Sequence, residues 1–530
     1  MRPFVLAVVG GVILGGLPAQ AYVALMAGQM ARPLKGSFNN VPVLHSNQPE
    51  EVHGPGILVS TTPGSALAAE TNQPLANATY TFNGEFGLHV HHKYYPEDRS
   101  RMGSGSGPRG QLTLATILIN PGDRPVQIRF QQGAVRNSFE APYLPNYLMG
   151  VKPLGARPWN TGPGDATAVQ MLRGKLDYTL SDTITIPPRS RTVLFSTQLP
   201  ARGIANGLLK GSSDGPFQMA VVAAEDPKSD QDIIAVMDRG RLAPGRIYLN
   251  RVGQIQSGTV FSRVAGVALG DAYQASLNHD LSQGSLHVPL TSTNRHNFGT
   301  GELQVNQLTS RMLDSSLNNI GTYGVRFDVT LNLSGAGPHQ LVFSHPTPNG
   351  GRPFVAFRGS IGIASDEGYQ EVHVGMKSGE SLSLASLNLK PGQNNPVKVS
   401  LVYPADATPG HLLSVVPDQQ LAQVRERQIL IAKAAAESQA GQQRTPPTAP
   451  PGLAVTPQPP AASPVPAPQP PAVVPGWLDA LPPIPPVNSS QMPRPGVSSP
   501  PPERMSQALL DRYQQAVDAQ QQFMNSLMGR

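Results

Sequence analysis

The 530-residue chain contains no cysteine, so neither a disulfide nor a thiolate metal site supports its fold, and stability has to come from core burial. Aromatic residues are scarce at 6%, with only two tryptophans. Charged residues make up 14% and leave a formal net charge of +6. No stretch clusters Lys and Arg, which excludes the phosphate-binding surface that a nucleic-acid partner requires. Beyond the N-terminal leader described below, no run approaches the roughly 20 apolar residues that span a membrane. No transmembrane segment is therefore expected in the mature chain.

Punctuation is what the chain has in quantity, with 53 glycines and 55 prolines. Such usage breaks helices and suits a turn-rich β fold. The first residues form a different kind of signal. Arg2 gives a positive start, residues 4–17 are apolar, and Pro18-Ala19-Gln20-Ala21 ends in a small-x-small pattern. This is the grammar of an export leader, with cleavage expected after Ala21. An exported chain without cysteine fits a bacterial periplasm or extracellular space better than a eukaryotic secretory route.

Residues 22–417 read as short alternating apolar runs closed by turn residues. In "QLTLATILINPGDRPVQIRF" the Asn-Pro-Gly-Asp turn separates two alternating runs, the pattern of strand, reversal and strand. "YGVRFDVTLNLSGAGPHQLVFS" repeats the plan farther on. "ITIPPRSRTVLFSTQLP" likewise has its echo in "LNLKPGQNNPVKVSLVYP", and the apolar runs "FQMAVVAA" and "HLLSVVP" close the two halves. The expectation is a mostly β protein of two tandem β-sandwich-like domains, residues 22–235 and 236–417. Residues 418–441 read as a helix. Residues 442–503 read as a Pro-rich disordered linker, since the stretch from Thr445 to Glu503 carries 22 prolines in 59 residues and cannot form a packed core. Residues 504–530 read as an amphipathic helix with a stripe of Leu509, Tyr513, Val517, Met524 and Leu527, suited to self-association.

The segments "VPVLHSNQPEEVHGPGILVS", "LINPGDRPVQI", "NNIGTYGVRFDVTLNL", "VAFRGSIGI" and "SLVYPADATPGHLLSV" resemble an exported cyanobacterial family catalogued only as a domain of unknown function. The resemblance covers approximately residues 32–417. It implies an envelope or secreted protein and supplies no catalytic residue.

Candidate chemistry centres on "FGLHVHHKYY", residues 86–95, which holds three of the twelve histidines. On a strand, His89 and His91 share one face with their Cα atoms about 7 Å apart, and His92 points to the other. Two such imidazoles can begin a zinc or copper site, with His45 and His53 as the remaining candidate ligands. Glu50 and Glu51 lie in the same upstream loop. A strand whose histidines hydrogen-bond locally is the competing interpretation, and no other cofactor is expected. "GSSDG" (residues 211–215) matches the G-x-S-x-G spacing around Ser213, but strand-like sequence follows where a nucleophile elbow needs a helix. Glu85, Asp98 and Glu140 could be paired for glycoside hydrolysis, but the sequence does not set the separation that such chemistry requires. For ligand binding, Tyr143, Tyr147 and Trp159 sit in one Pro- and Gly-rich loop and could present a platform to polysaccharide. These signals favour an exported envelope protein with a non-catalytic binding or scaffolding role toward an envelope protein or polysaccharide. A polysaccharide-active or metal-dependent envelope enzyme is the alternative.

Overall fold

The computed structural model describes residues 29–423 apart from 103–109, 144–148, 156–160, 259–261, 348–352 and 406, together with residues 426 and 430. The expected leader, Pro-rich linker and terminal helix lie outside the described residues. Of the expected helix at 418–441, residues 418–423 are described and are helical.

The alternating runs form open sheets of seven, nine, four, four and two strands. The protein is mostly β, and its two halves share one construction. In the first half, Gln111–Asn120 pairs with Ser190–Pro200 in one sheet, while Val126–Asn137 pairs with Thr183–Ile186 in another. In the second, Arg326–Ser334 pairs with Asn395–Val402, and Gly337–Ser344 with Ser381–Leu389. Each turn quoted above therefore carries the chain from one layer to the other instead of closing a hairpin. Two such arches nest, so first pairs with last and second with third.

The corner after Asn120 shows how the sequence fixes this crossing. The Asn120 side-chain amide donates to the carbonyls of Arg124, Ile186 and Pro187, and its Oδ1 accepts from the Gly122 amide. A short polar side chain thereby satisfies backbone groups that a layer crossing leaves without ladder partners.

Two apolar cores form, the first drawn mainly from the first half with Ala265, Val267 and Met312 of the second, and the second drawn mainly from the second half with Leu34 of the first. Phe82, Phe86, Phe217, Leu114 and Val221 pack in the first, and Phe327, Leu331, Phe343, Phe357 and Leu413 in the second. Fully burying one such side chain contributes about 1.5–3 kcal/mol. Three strands pass between the halves. Ser37–Phe38 pairs with Ala272–Asp280, Ala265–Leu269 pairs with Pro42–Ser46, and Gly150–Pro153 pairs with Gly368–Lys377. All the described strands belong to one compact unit.

Candidate functional site

The strand Glu85–Tyr94 runs between Ile204–Ser213 and Pro42–Ser46 in the nine-stranded sheet. It is buried from Phe86 onward. Alternation places Leu88, Val90 and Tyr94 in the first core and turns His89, His91 and Lys93 to the opposite face. Parallel pairing sets His45 beside His89, and their Nδ1 atoms lie 3.1 Å apart. One nitrogen must donate and the other accept, so the two rings take complementary neutral tautomers. Burial holds His45 down to about 3. It holds His89 well below its ordinary value, with the neighbouring His45, His91 and His92 adding to the effect.

His91 Nδ1 meets Asn206 Oδ1 at 3.0 Å, and Asn206 Nδ2 donates to Thr167 Oγ1 at 2.5 Å. Thr167 belongs to the helix Pro163–Leu172, which is buried over nearly its whole length. In the first turn of that helix, Asp165 accepts from Ser360 Oγ at 2.9 Å and pairs with His373 Nδ1 at 3.0 Å. At its C-terminal end Arg173 pairs with Glu371 at 2.6 Å. A carboxylate in the first turn also suits the positive end of the helix dipole. One helix thus ties the histidine strand of the first half to the sheet of the second, through these polar contacts and through Ala168, Met171 and Leu172, which pack with Leu208 and Val402.

Next to this seam, Glu50 bridges Lys93 and Arg263, each at 2.5 Å. Burial opposes its ionisation, but Arg263 and Lys93 outweigh that cost and hold the Glu50 carboxyl well below the usual carboxylate range. His92, on the core-facing side, contacts Ser46 Oγ at 2.8 Å and the Pro49 carbonyl at 2.7 Å. Burial lowers it to about 3 against the opposing effect of that carbonyl.

Of the four metal candidates, His45 and His89 come together, while His91 is bonded to Asn206. His53 follows the short pairing of Glu51 and Val52 with Lys93 and Tyr94, and the charges acting on it are Glu97 and Glu70. Among the described residues, no group of three or more His, Asp or Glu side chains is arranged to hold a metal ion. Tyr143 stacks under the Arg358 guanidinium at 5.2 Å. It also packs so tightly on Gly162 that a Cβ there would fall 2.1 Å from the ring. Tyr147 and Trp159 lie outside the described residues. Ser213 ends the strand Ile204–Ser213 and accepts from the Gly84 amide. The next element is the strand Gln218–Ala224.

Sequence reading missed a second imidazole cluster. His296, His345 and His411 gather in the second half, with ring centroids 6.0 Å apart for His296 and His345 and 5.0 Å for His345 and His411. His411 lies flat on Phe343 at 4.5 Å. Burial takes His345 to about 3 and His296 to about 4, and holds His411 well below its ordinary value. The three residues are far apart along the chain and share no motif, so only the packing of three separate segments reveals them. The pairing of Asp165 with His373 was equally invisible.

Comparison with solved structures returns weak likenesses. The secreted serine protease VesC from Vibrio cholerae is 10% identical with a TM-score of 0.13, covering 60% of this chain and 51% of that one. A Paenibacillus xanthan lyase is also 10% identical with a TM-score of 0.13, covering 69% of this chain and 26% of that one. The chain thus spans about half the length of the first and a quarter of the second, and such scores carry no argument about function. No curated protein matches the chain. The family model described as "Protein of unknown function (DUF3370)" matches residues 29–417, which hold both sandwiches and the polar seam, and the chain belongs to that family.

Proposed function

We propose that this is an exported, non-catalytic protein of the bacterial cell envelope that serves as a binding or scaffolding element. The observation that carries the proposal is the state of the buried titratable groups. Glu50 is spent on Lys93 and Arg263, Asp165 on Ser360 and His373, and Asp314 on Arg246. Charges and imidazoles that face one another in this way hold two β layers in register. Acid and base catalysis instead needs groups converging on a cleft that substrate can enter.

The leader supports export to the periplasm or beyond, and the resemblance noted in the sequence supports a cyanobacterial source. The apolar stripe read in residues 504–530 would serve self-association or an envelope partner. Expression in a bacterial host with intact-mass measurement tests the export step. A mature chain beginning at Tyr22 and recovered with the envelope fraction is expected. An uncleaved chain in the cytoplasm would overturn the reading.

A second reading, metal binding, is favoured by one observation. The Nδ1 atoms of His45 and His89 stand 3.1 Å apart, close to the roughly 3.3 Å that separates two ligands of a tetrahedral zinc with bonds of about 2.0–2.1 Å. A zinc or copper ion could replace the shared proton, although the described residues bring up no third ligand. Calorimetric titration of the purified chain with zinc and with copper decides between the readings. Under the scaffolding reading the chain binds either metal no more tightly than does a His45→Ala/His89→Ala variant. Loss of a tight one-to-one isotherm in that variant would establish the metal reading.

A further inference from the structure

Among the described residues, part of one face of the seven-stranded sheet is left uncovered beside the seam. Its other face supplies Phe327, Val329, Leu331, Ile361, Ile363, Val397 and Val399 to the second core. The helix Pro163–Leu172 covers the outer face near Ser360 and His373, and its C-terminal end meets Val402 and Arg326. Beyond the helix the register aligns a row of outward side chains: Tyr369, Ala364, Lys398, Thr330 and Ser276. A parallel row runs from Glu371 through Gly362, Ser400 and Asp328 to Gln274. Five strands at a spacing of roughly 4.8 Å make this face about 19 Å wide.

Tyr369 is the feature that needs explaining. An aromatic residue in an exposed strand ordinarily packs against a cross-strand neighbour, yet its side chain is 60% exposed. It leans diagonally across the sheet, with its hydroxyl donating to Glu371 Oε1 at 3.0 Å. A Cβ at Gly362 would stand 2.6 Å from that oxygen, so glycine is what lets the ring lie over the neighbouring strand. Around it the charged groups are paired: Arg173 with Glu371 at 2.6 Å, Arg326 with Asp328 at 2.7 Å, and Lys398 with Asp328 at 3.6 Å.

We infer that this face, centred on Tyr369, binds a neutral polysaccharide chain, an inference that rests on the non-catalytic binding role proposed above. The exposed ring offers an apolar surface to the C–H face of a sugar. The surrounding guanidinium, carboxylate, amide and hydroxyl groups offer donors and acceptors for sugar hydroxyls. A flat row of this length suits an extended polymer better than a small molecule, which favours a concave site. Arg173, Arg326 and Lys398 against Glu371 and Asp328 leave a net charge of only +1, which gives little purchase to a polyanion such as nucleic acid. A peptide helix or strand would want several apolar anchors where the row offers Ser, Thr and Lys.

Affinity electrophoresis of the full chain through native gels tests the inference, with hydroxyethyl cellulose as the neutral probe and polygalacturonate as the acidic one. The wild-type chain is expected to be retarded by the neutral polymer. Tyr369→Ala should weaken that binding by about tenfold or more, the scale of an aromatic anchor, and Gly362→Val should act in the same direction by lifting the ring off the sheet. Tyr178→Ala removes a ring that is 89% exposed elsewhere and should migrate like wild type. All three positions leave the cores untouched, and matching thermal melts confirm folding. Absence of retardation by the neutral polymer, or equal retardation of wild type and Tyr369→Ala, would overturn the site. Retardation by polygalacturonate alone would overturn the neutral class. None of these outcomes bears on leader cleavage or envelope recovery, so the site and the broader reading fail separately.

Discussion

Acidification from pH 7 to pH 4.5 is expected to unfold this protein cooperatively. His45, His92 and His345 are each held down to about 3 by burial, and His89 and His411 well below the ordinary 6.5 by the same cause. These rings stay neutral in the folded chain and take up protons near 6.5 once unfolded. Below 6.5 the unfolded state therefore binds more protons, and stability falls with pH throughout the window from 6.5 down to the folded values. Each imidazole costs about 1.4 kcal/mol per pH unit in that window. Two of them alone remove on the order of 5 kcal/mol by pH 4.5, a large share of a domain's whole stability. The Glu50 pairing adds a loss of its own below about 4.5, where its carboxyl protonates in the unfolded state. Urea unfolding followed by circular dichroism at pH 7, 6, 5 and 4.5 measures the slope. A midpoint that does not move across the series would refute the argument. His411→Phe keeps the stacking on Phe343 and removes one titrating group, so its profile should be shallower by about one proton. At pH 7 two effects oppose each other, since the variant removes a buried Nε2 that has no hydrogen-bond partner and gives up the Nδ1 contact with the Tyr403 hydroxyl at 3.4 Å.

The largest single-residue effect is expected at Asp314. Arg246 and Asp314 are both fully buried and meet at 2.9 Å. Arg246 also donates to the Leu58 carbonyl, and Gln48 Nε2 donates to Asp314. The four residues come from distant parts of the chain, so the pair closes the region where the halves join. Asp314→Ala leaves the guanidinium buried without its counter-charge, a change that costs about 3–5 kcal/mol. The double variant Arg246→Met/Asp314→Leu removes both charges and should recover most of that loss. Equilibrium urea unfolding checks both outcomes. A double variant as unstable as Asp314→Ala would show that the charges themselves, and not the unpaired state, matter.

Much of the fold was legible because strand physics is local. Alternation in "QLTLATILIN" and the Pro-Gly turn after it depend on neighbours a few residues apart, and the echo of the same plan after residue 323 follows from the same rule. The turns were harder to interpret. A Pro-Gly reversal marks a change of direction in either a hairpin or a layer crossing, and the contacts of Asn120 with Ile186 and Pro187, 66 and 67 residues away, select the crossing. Side-chain direction was legible too, since period two alone puts His89 and His91 on a common face.

Composition and short-range pattern determined that the chain is β-rich and free of disulfides, because each of these is written in residue types and spacings within one segment. Tertiary structure alone decided which histidine meets which. His45 reaches His89 through a parallel pairing, His411 reaches His345 at the end of an antiparallel pairing, and Asp165 reaches His373 across 208 positions. Contacts at such separations are fixed by how layers stack and strands register, and no local periodicity encodes that stacking.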